Sequence, residues 1–215
     1  MTLANSDKPL VTVVLPAFNQ ESILEENVST LLDYFCSLQD RYRWEVIIVN
    51  DGSSDATGEI ADRVATGSDI VTVLHHPVNF GLGQAFKTAF AASSGKYVVT
   101  MDMDLSYSAD HVERLLEVVE STPAKLVLAS PYMKGGSIGN VPTLRRVLSI
   151  YANRFLSFFA QGHLSTLTCM VRAYDGEFVR KLDLRSTGMD IMPETVYKAM
   201  ILRAKIVQIP AHLDW

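Results

Sequence analysis

The chain has 215 residues, of which 48% are hydrophobic and 20% are charged, and its formal net charge is −5. This is the composition of one folded domain, so it excludes disordered, collagen-like and low-complexity chains. The acidic balance argues against a general nucleic-acid binder. Two cysteines are too few for a disulfide framework and favour a reducing compartment.

Over the first 130 residues, short apolar runs alternate with amphipathic segments. The runs predict strands at 10–15, 44–49, 69–74, 97–101 and 125–129, and the segments predict helices at 22–38, 53–66, 83–93 and 109–120. Ser22 is the expected cap of the first helix, and Ser53 or Ser54 that of the second. The alternation predicts a parallel sheet with helices on both faces, in which ligands bind outside the carboxyl ends of the strands.

After residue 130 the pattern changes. Gly135, Gly136 and Gly139 predict a flexible loop, and Pro142 suits the first turn of a helix that continues to about residue 161. A strand at 167–173, a helix at 193–202 and a strand at 204–209 follow. No segment has the length and apolar character of a signal peptide or a membrane span.

Residues 121–174 contain no Asp or Glu but hold six lysines and arginines. Such a tract in an acidic protein predicts one surface that faces phosphates or an anionic membrane. The alternative is a chance clustering of cations on solvated faces.

Asp102 and Asp104 follow directly after an apolar strand. Residues i and i+2 of an extended chain point the same way, so the two carboxylates repel each other unless a cation lies between them. Oxygen ligands suit Mg²⁺ or Mn²⁺ bound together with a substrate diphosphate. Alternatively, the pair caps the turn or the next helix.

Two further segments lie at predicted strand ends or helix starts. In Asn50–Asp55, Asp51 could accept a hydrogen bond from a base N–H or a ribose hydroxyl, although a plain turn explains most of the segment. The glycine-rich segment 79–85 opens a helix and suggests either phosphate binding there or close packing of a small-residue helix.

Together these motifs resemble those of the family 2 glycosyltransferases. The matching segments are Pro16-Ala17-Phe18-Asn19-Gln20-Glu21, Asn50–Asp55, Asn79–Ala85 and Asp102–Asp104. The second half is similar to the dolichyl- and polyprenyl-phosphate sugar synthases of that family. The residues that carry this likeness are Lys134, Gly135, Gly136, Asn140, Pro142, Arg145, Arg146, Ser149, Ala152 and Asn153.

The resemblance implies an α/β fold of the GT-A type: a Rossmann-like, mostly parallel sheet flanked by helices, with a helical and strand extension on the acceptor side. One domain would span 1–215, with a nucleotide-sugar half at about 10–130 and an acceptor half at about 131–215. The implied activity is metal-dependent, inverting transfer of a sugar from a nucleotide-diphosphate sugar to a polyprenyl (dolichyl or undecaprenyl) phosphate. The implied location is cytoplasmic, peripheral at the cytoplasmic membrane face, with helix 142–161 at the membrane surface.

The resemblance also implies roles for individual residues. The donor would bind to Pro16, Ala17, Asn19, Glu21, Asp51, Gly83, Asp102 and Asp104, of which Asp102 and Asp104 would also hold Mg²⁺ or Mn²⁺. The acceptor phosphate would bind to Lys134, Arg145, Arg146, Ser149 and Arg172. The catalytic set would be Asp102, Asp104, Arg145 and Arg146.

The sequence departs from the family pattern at several positions. Ser106 stands where polyprenyl members often have a metal-binding Gln, Pro131 replaces an Arg and Thr166 replaces an Asp. Relatives continue beyond residue 215 with a basic segment, so we expect either a missing C-terminal segment or a membrane partner.

Two alternative functions stay open. One is a soluble family 2 transferase that acts on a saccharide hydroxyl, with Asp190 or Glu194 as general base. The other is a degenerate relative that binds a nucleotide sugar as a sensor or scaffold.

Overall fold

The computed structural model describes residues 7–139 and 164–214. The helix predicted at 142–161 lies outside the described residues, and so do the expected acceptor residues Arg145, Arg146 and Ser149.

Nine strands form in the described residues, and their apolar runs are mostly buried. They are β1 (Leu10–Ala17), β2 (Arg43–Asn50), β3 (Val71–His75), β4 (Tyr97–Thr100), β5 (Leu126–Ser130), β6 (Ser137–Gly139), β7 (Arg172–Asp175), β8 (Ile206–Pro210) and β9 (His212–Asp214). Seven strands form one sheet in the order β3-β2-β1-β4-β7-β5-β8, while β6 and β9 form a separate parallel pair. Only β7 runs antiparallel to its neighbours in the large sheet. The predicted mostly parallel sheet is therefore confirmed.

Six helices are described. They are α1 (Leu24–Ser37), α2 (Thr57–Thr66), α3 (Leu82–Ala92), α4 (Asp110–Ser121), α5 (Gly176–Lys181) and α6 (Ile191–Ile201). The apolar residues of β1 alternate between two cores, because successive strand residues face opposite sides of a sheet. Val13 packs in the core that includes α1 and α4, and Val14 packs in the core that includes α3 and α6. Helices thus cover both faces, as the alternating pattern predicts.

The predicted caps of the first two helices are wrong. Neither Ser22 nor Ser53 and Ser54 cap their helices, because α1 begins only at Leu24 and α2 only at Thr57. The side chain of Asp55 accepts the Thr57 N–H, and that of Glu21 accepts the Ala56 N–H. At the start of α2, one local contact and one contact from a distant segment therefore take the place of the predicted serine cap.

The second half differs from the prediction in three places. The strand expected at 167–173 is the shorter β7, although Leu167 and Val171 are buried as the apolar pattern requires. The expected glycine loop contains β6, which pairs with β9, and the short helix α5 has no counterpart in the prediction. Within the ranges 7–139 and 164–214, no helix combines the length and apolar character needed to cross a bilayer.

Candidate active site

A cavity of about 610 Å³ lies at the carboxyl ends of β1, β2 and β4. Its size is that of a small-molecule site. The first half of the chain contributes Pro16, Ala17, Phe18, Gln20, Asp51, Asn79, Gly81, Leu82, Ala85, Asp102, Met103, Asp104, Ser106 and Tyr107. The second half contributes Tyr132, Thr166, Thr168, Cys169, Met170, Met189 and Leu213. The cavity lies where the topology of a parallel sheet predicts a ligand site.

Asp102 and Asp104 both line the cavity just after β4. Asp104 is exposed, and its Oδ1 accepts the Ser106 N–H at 2.9 Å. Asp102 is partly buried, and no group in the described part of the chain hydrogen-bonds its carboxylate. Burial, and secondly the charge of Asp104, raise the pKa of Asp102 to about 7.

This pair of carboxylates fits a divalent cation. A cation would offset both the desolvation of Asp102 and its repulsion by Asp104. Residues 7–139 and 164–214 contain no cluster of three or more His, Cys, Asp or Glu side chains that could hold a metal. Two carboxylates leave the other coordination positions to water and substrate oxygens, which is how Mg²⁺ commonly binds.

Asp51 follows β2 and lines the cavity, but its carboxylate is largely engaged by the protein. Oδ1 accepts the Phe80 N–H at 3.0 Å, and Oδ2 accepts the Gly81 N–H at 2.8 Å. Oδ1 also lies 2.6 Å from His76 Nδ1. Asp51 therefore ties the glycine-rich segment to the end of β2.

The start of α3 in the glycine-rich segment packs closely against residues 186–188. The Gly83 N–H donates to the Thr187 carbonyl at 2.7 Å, and so does the Gln84 N–H at 3.2 Å. A Cβ on Gly83 would lie 2.7 Å from Ser186 O, so only glycine fits at this approach. Gly83, an expected donor-binding residue, does not line the cavity, although Gly81, Leu82 and Ala85 of the same segment do.

The donor-binding residues expected in the motif at 16–21 fall into two groups, those that line the cavity and those that do not. Pro16 and Ala17 line the cavity, as expected of donor-binding residues. Asn19 and Glu21 do not: Asn19 Oδ1 accepts the Ser54 N–H at 2.9 Å, and Glu21 Oε2 accepts the Ala56 N–H at 2.9 Å. These two side chains instead fix the segment between β2 and α2.

Arg172 does not take the expected acceptor role. Its side chain is fully buried, and its guanidinium donates to the carbonyls of Leu167, Cys169 and Met192 and to the Thr195 hydroxyl. These bonds hold the segment before β7 against α6. An acceptor phosphate in the cavity would find this guanidinium already engaged.

The other described cations of the basic tract do not form one phosphate-facing surface. Lys125 pairs with Asp175 at 2.8 Å at the amino end of β5, the sheet edge opposite the cavity. Lys134 is exposed and does not line the cavity.

Neither candidate general base lies in the cavity wall. Asp190 Oδ1 accepts the Gly188 N–H at 3.2 Å. The Glu194 carboxylate accepts the N–H groups of Arg185 and Ser186 at 2.9 Å each, and Lys198 Nζ lies 2.8 Å from it. Burial alone would raise the pKa of Glu194. Lys198 and these N–H groups lower the pKa by more than burial raises it, so that it is about 2. Such a carboxylate is a poor proton acceptor.

The sequence matches the model of glycosyl transferase family 2 over residues 12–183. This chain belongs to that family. The chain is 30% identical over 205 residues to the polyprenol monophosphomannose synthase of Mycolicibacterium smegmatis, which covers 92% of this chain and 75% of that protein. It is 29% identical over 206 residues to the undecaprenyl-phosphate mannosyltransferase of Micrococcus luteus, which covers 93% of this chain and 82% of that protein.

Solved structures confirm the GT-A fold. The glucosyl-3-phosphoglycerate synthase of Mycobacterium tuberculosis, crystallised with Mn²⁺, UDP and phosphoglyceric acid, superposes with a TM-score of 0.74 at 22% identity. The match covers 98% of this chain and 70% of that one. A mannosyltransferase from Pyrobaculum calidifontis, in complex with GDP-Man and Mn²⁺, gives a TM-score of 0.67 at 20% identity, covering 98% and 58%.

Ser106 and Thr166, two departures from the family pattern, both line the cavity. The structure also places residues in the cavity wall that the motifs did not indicate. Tyr107 and Cys169 lie side by side there, with the Tyr107 hydroxyl 3.7 Å from Cys169 Sγ. Leu213, which lies in β9, also lines the cavity. Tyr107 follows the Asp102–Asp104 pair closely, whereas Cys169 and Leu213 come from distant segments, so no local motif could have revealed the place of those two in the wall.

Proposed function

We propose that this glycosyltransferase moves a sugar from a nucleoside-diphosphate sugar to a polyprenyl phosphate, with inversion at the anomeric carbon and with Mg²⁺ or Mn²⁺. The names of the two relatives support this acceptor class. Action on a lipid acceptor implies a site at the cytoplasmic face of the membrane, and we assign the membrane contact to the segment 142–161.

The observation that carries the proposal is the set of carboxylates in the cavity. Among the described residues these are Asp51, Asp102 and Asp104. Asp51 is engaged by two backbone N–H groups and His76, and the other two form the cation pair. Once Asp102 and Asp104 hold the cation, the described wall offers no free carboxylate to deprotonate a sugar hydroxyl. A phosphate acceptor needs no such base, because it is already ionised.

The chemistry then reduces to positioning and charge neutralisation. Asp102 and Asp104 would hold the metal, which supplies positive charge for the departing nucleoside diphosphate. Pro16, Ala17 and Asp51 would bind the nucleoside. By resemblance, Arg145 and Arg146 would bind the acceptor phosphate, because a guanidinium matches phosphate oxygens in bidentate fashion.

Binding of nucleoside diphosphates tests the donor half of this proposal. We expect UDP, GDP or TDP to raise the melting temperature in the presence of Mn²⁺, because the ligand binds only the native state. Asp104→Ala should abolish the metal-dependent part of that shift. Unchanged affinity of Asp104→Ala in Mn²⁺ would refute the metal assignment, and the absence of any shift in the wild type would refute a nucleotide site in the cavity. A metal-dependent shift without transfer to any acceptor would favour the degenerate relative.

Transfer assays test the acceptor half. The double variant Arg145→Ala/Arg146→Ala should lose transfer to polyprenyl phosphate while it keeps the donor-induced shift. Loss of donor binding in this variant would refute the acceptor role. Transfer to a saccharide hydroxyl, but not to polyprenyl phosphate, would establish the soluble alternative.

A further inference from the structure

A buried polar chain leads from the cavity wall into the protein. It begins at the Gly81 N–H, which donates to Asp51 Oδ2, and continues from Asp51 Oδ1 to His76 Nδ1 at 2.6 Å. His76 Nε2 lies 2.9 Å from the Thr88 hydroxyl on α3. The side chains of Asp51 and His76 are only 5% and 8% exposed. Every polar atom of the imidazole is thus committed inside the protein.

The direction of these bonds follows from the chemistry of the partners. A carboxylate oxygen only accepts, so His76 Nδ1 carries a proton and donates it to Asp51 Oδ1. Oδ1 also accepts the Phe80 N–H, so both of its lone pairs are used. Among the described residues, Oδ2 accepts only the Gly81 N–H and so keeps one acceptor position. Asp51 lines the cavity, and this position on Oδ2 is the one that its carboxylate keeps for a ligand.

We propose that His76 is a positioning residue for nucleobase selection. This inference rests on the proposed function, since it assumes a nucleoside-diphosphate donor in the cavity. His76 saturates Asp51 Oδ1 and holds the carboxylate plane, so that Oδ2 faces the base edge. His76 is itself held by Thr88 and by its own backbone N–H, which donates to the Asn50 carbonyl at 2.9 Å.

The proposal predicts which class of base is accepted. An acceptor at a fixed position selects a ring edge that carries an N–H. Uracil, thymine and guanine present an imino N–H there, whereas cytosine and adenine present an unprotonated ring nitrogen. With His76 removed, Asp51 can rotate and bind ribose or water instead, so selectivity between these classes should fall.

The experiment measures dissociation constants of UDP, GDP, TDP, CDP and ADP with Mn²⁺ for the wild type and four variants. His76→Leu removes both ring bonds and should lower the affinity for the preferred imino base about tenfold, as expected for a bond to a charged group, with little change for CDP or ADP. The selectivity ratio is the affinity for the preferred imino base divided by the affinity for CDP or ADP. His76→Asn keeps a donor near Nδ1 and should restore this ratio to within about threefold of the wild-type value. Thr88→Val removes the second support and should reduce the ratio about threefold.

His75→Leu is the matched control, because the neighbouring ring bonds Asn50 and Asp62 outside the cavity and should leave the ratio unchanged. An unchanged ratio in a folded His76→Leu variant overturns the inference but not the proposed function. If His76→Leu lowers the affinity for all five nucleotides equally, the inference is also overturned, because an equal loss indicates a structural role for His76. If His76→Leu does not fold, an unchanged ratio in Thr88→Val overturns it. A wild type that binds none of the nucleotides overturns the proposed function and this inference together.

Discussion

At the scale of single residues, the same charged side chain can serve either chemistry or the fold, and its partners decide which. Arg172 is an arginine in a tract rich in cations, and the resemblance assigns it to a phosphate. In the structure three backbone carbonyls and one hydroxyl accept its N–H groups, with no exposed surface. Buried carbonyls that lose their donor carry a desolvation cost, so the loss of Arg172 should affect stability first.

We therefore expect Arg172→Met to lower the free energy of unfolding by about 3 kcal/mol, measured by urea denaturation. Arg63→Met is the control, because Arg63 forms an exposed pair with Glu25 and its loss should leave the free energy of unfolding near that of the wild type. A stable Arg172→Met variant that has lost only transfer to the acceptor would restore the phosphate role.

Glu194 gives a prediction about pH. Its folded pKa is about 2 against an ordinary value of 4.5, despite burial, because of Lys198 and two backbone N–H groups. A depressed carboxylate pKa adds stability that is fully present above the unfolded pKa and is lost as pH falls through the folded pKa. Glu194→Gln should thus cost about 3 kcal/mol near neutral pH, and the difference from wild type should shrink between about pH 4.5 and pH 2.

Urea titrations of both proteins across this range measure that difference. Glu177→Gln is the control, because Glu177 pairs with Lys181 at the surface, and its unfolding midpoint should stay near that of the wild type. A gap between Glu194→Gln and wild type that stays constant with pH would refute the linkage.

At the scale of elements, the segment 185–189 lies across the start of α3, and Glu194 holds it there. The Thr187 carbonyl accepts two N–H groups from the first turn of α3, and Gly81 and Gly83 have no side chain to block this approach. Met189 lies in the same segment and lines the cavity. The glycines of this segment therefore allow the close packing that brings Met189 to the cavity wall.

Gly83→Ala tests this packing. Helix propensity alone would stabilise the variant by about 1 kcal/mol, but the new Cβ would overlap Ser186 O and Thr187 C, so we expect a net loss of about 1–3 kcal/mol and weaker nucleotide binding. Gly67→Ala, at the end of α2, should be neutral or stabilising, because the new Cβ would make only ordinary van der Waals contacts with Val64 O at 3.5 Å and Arg63 O at 3.9 Å. Calorimetry of the two variants compares them, and an equal gain in both would show that the segment yields at no cost.

Elements with a strong apolar period could be predicted from sequence, and those defined by distant partners could not. Residues 44–49 and 97–101 agree with β2 and β4 to within one residue, because both are buried on both faces. The direction and bounds of β7 could not be predicted. The run Leu167–Val171 has the apolar, buried residues of a strand, but it precedes β7, which begins only at Arg172. In the site, the Asp102–Asp104 pair was predicted from local spacing, whereas the engagement of Asp51 by His76 depends on the fold.

At the scale of the whole molecule, the two halves of the sequence share one sheet. β7 comes from the second half of the chain but lies between β4 and β5 of the first half. Neither half can therefore form a continuous sheet without the other. Removing β7 would leave the facing edges of β4 and β5 unpaired and would take Ala173 and Tyr174, both of which are fully buried, out of the core.

We expect the full chain to unfold in one cooperative transition, and a fragment of residues 1–130 to show none, because it lacks the strand that joins β4 to β5. Circular dichroism during heating compares the two, with addition of the fragment 131–215 as the complementation control. A cooperative transition in the isolated first fragment would show that the halves are separate domains.

The position of β7 also has a consequence for protein synthesis. β4 and β5 leave the ribosome before residues 131–171, and at roughly 5–20 residues per second that interval lasts a few seconds. During this time the facing edges of two apolar strands remain open, and open edges promote wrong pairing between chains. Nascent chains of this protein should therefore depend on chaperones until Asp175 has emerged, and slow codons between β5 and β7 should lower the soluble yield.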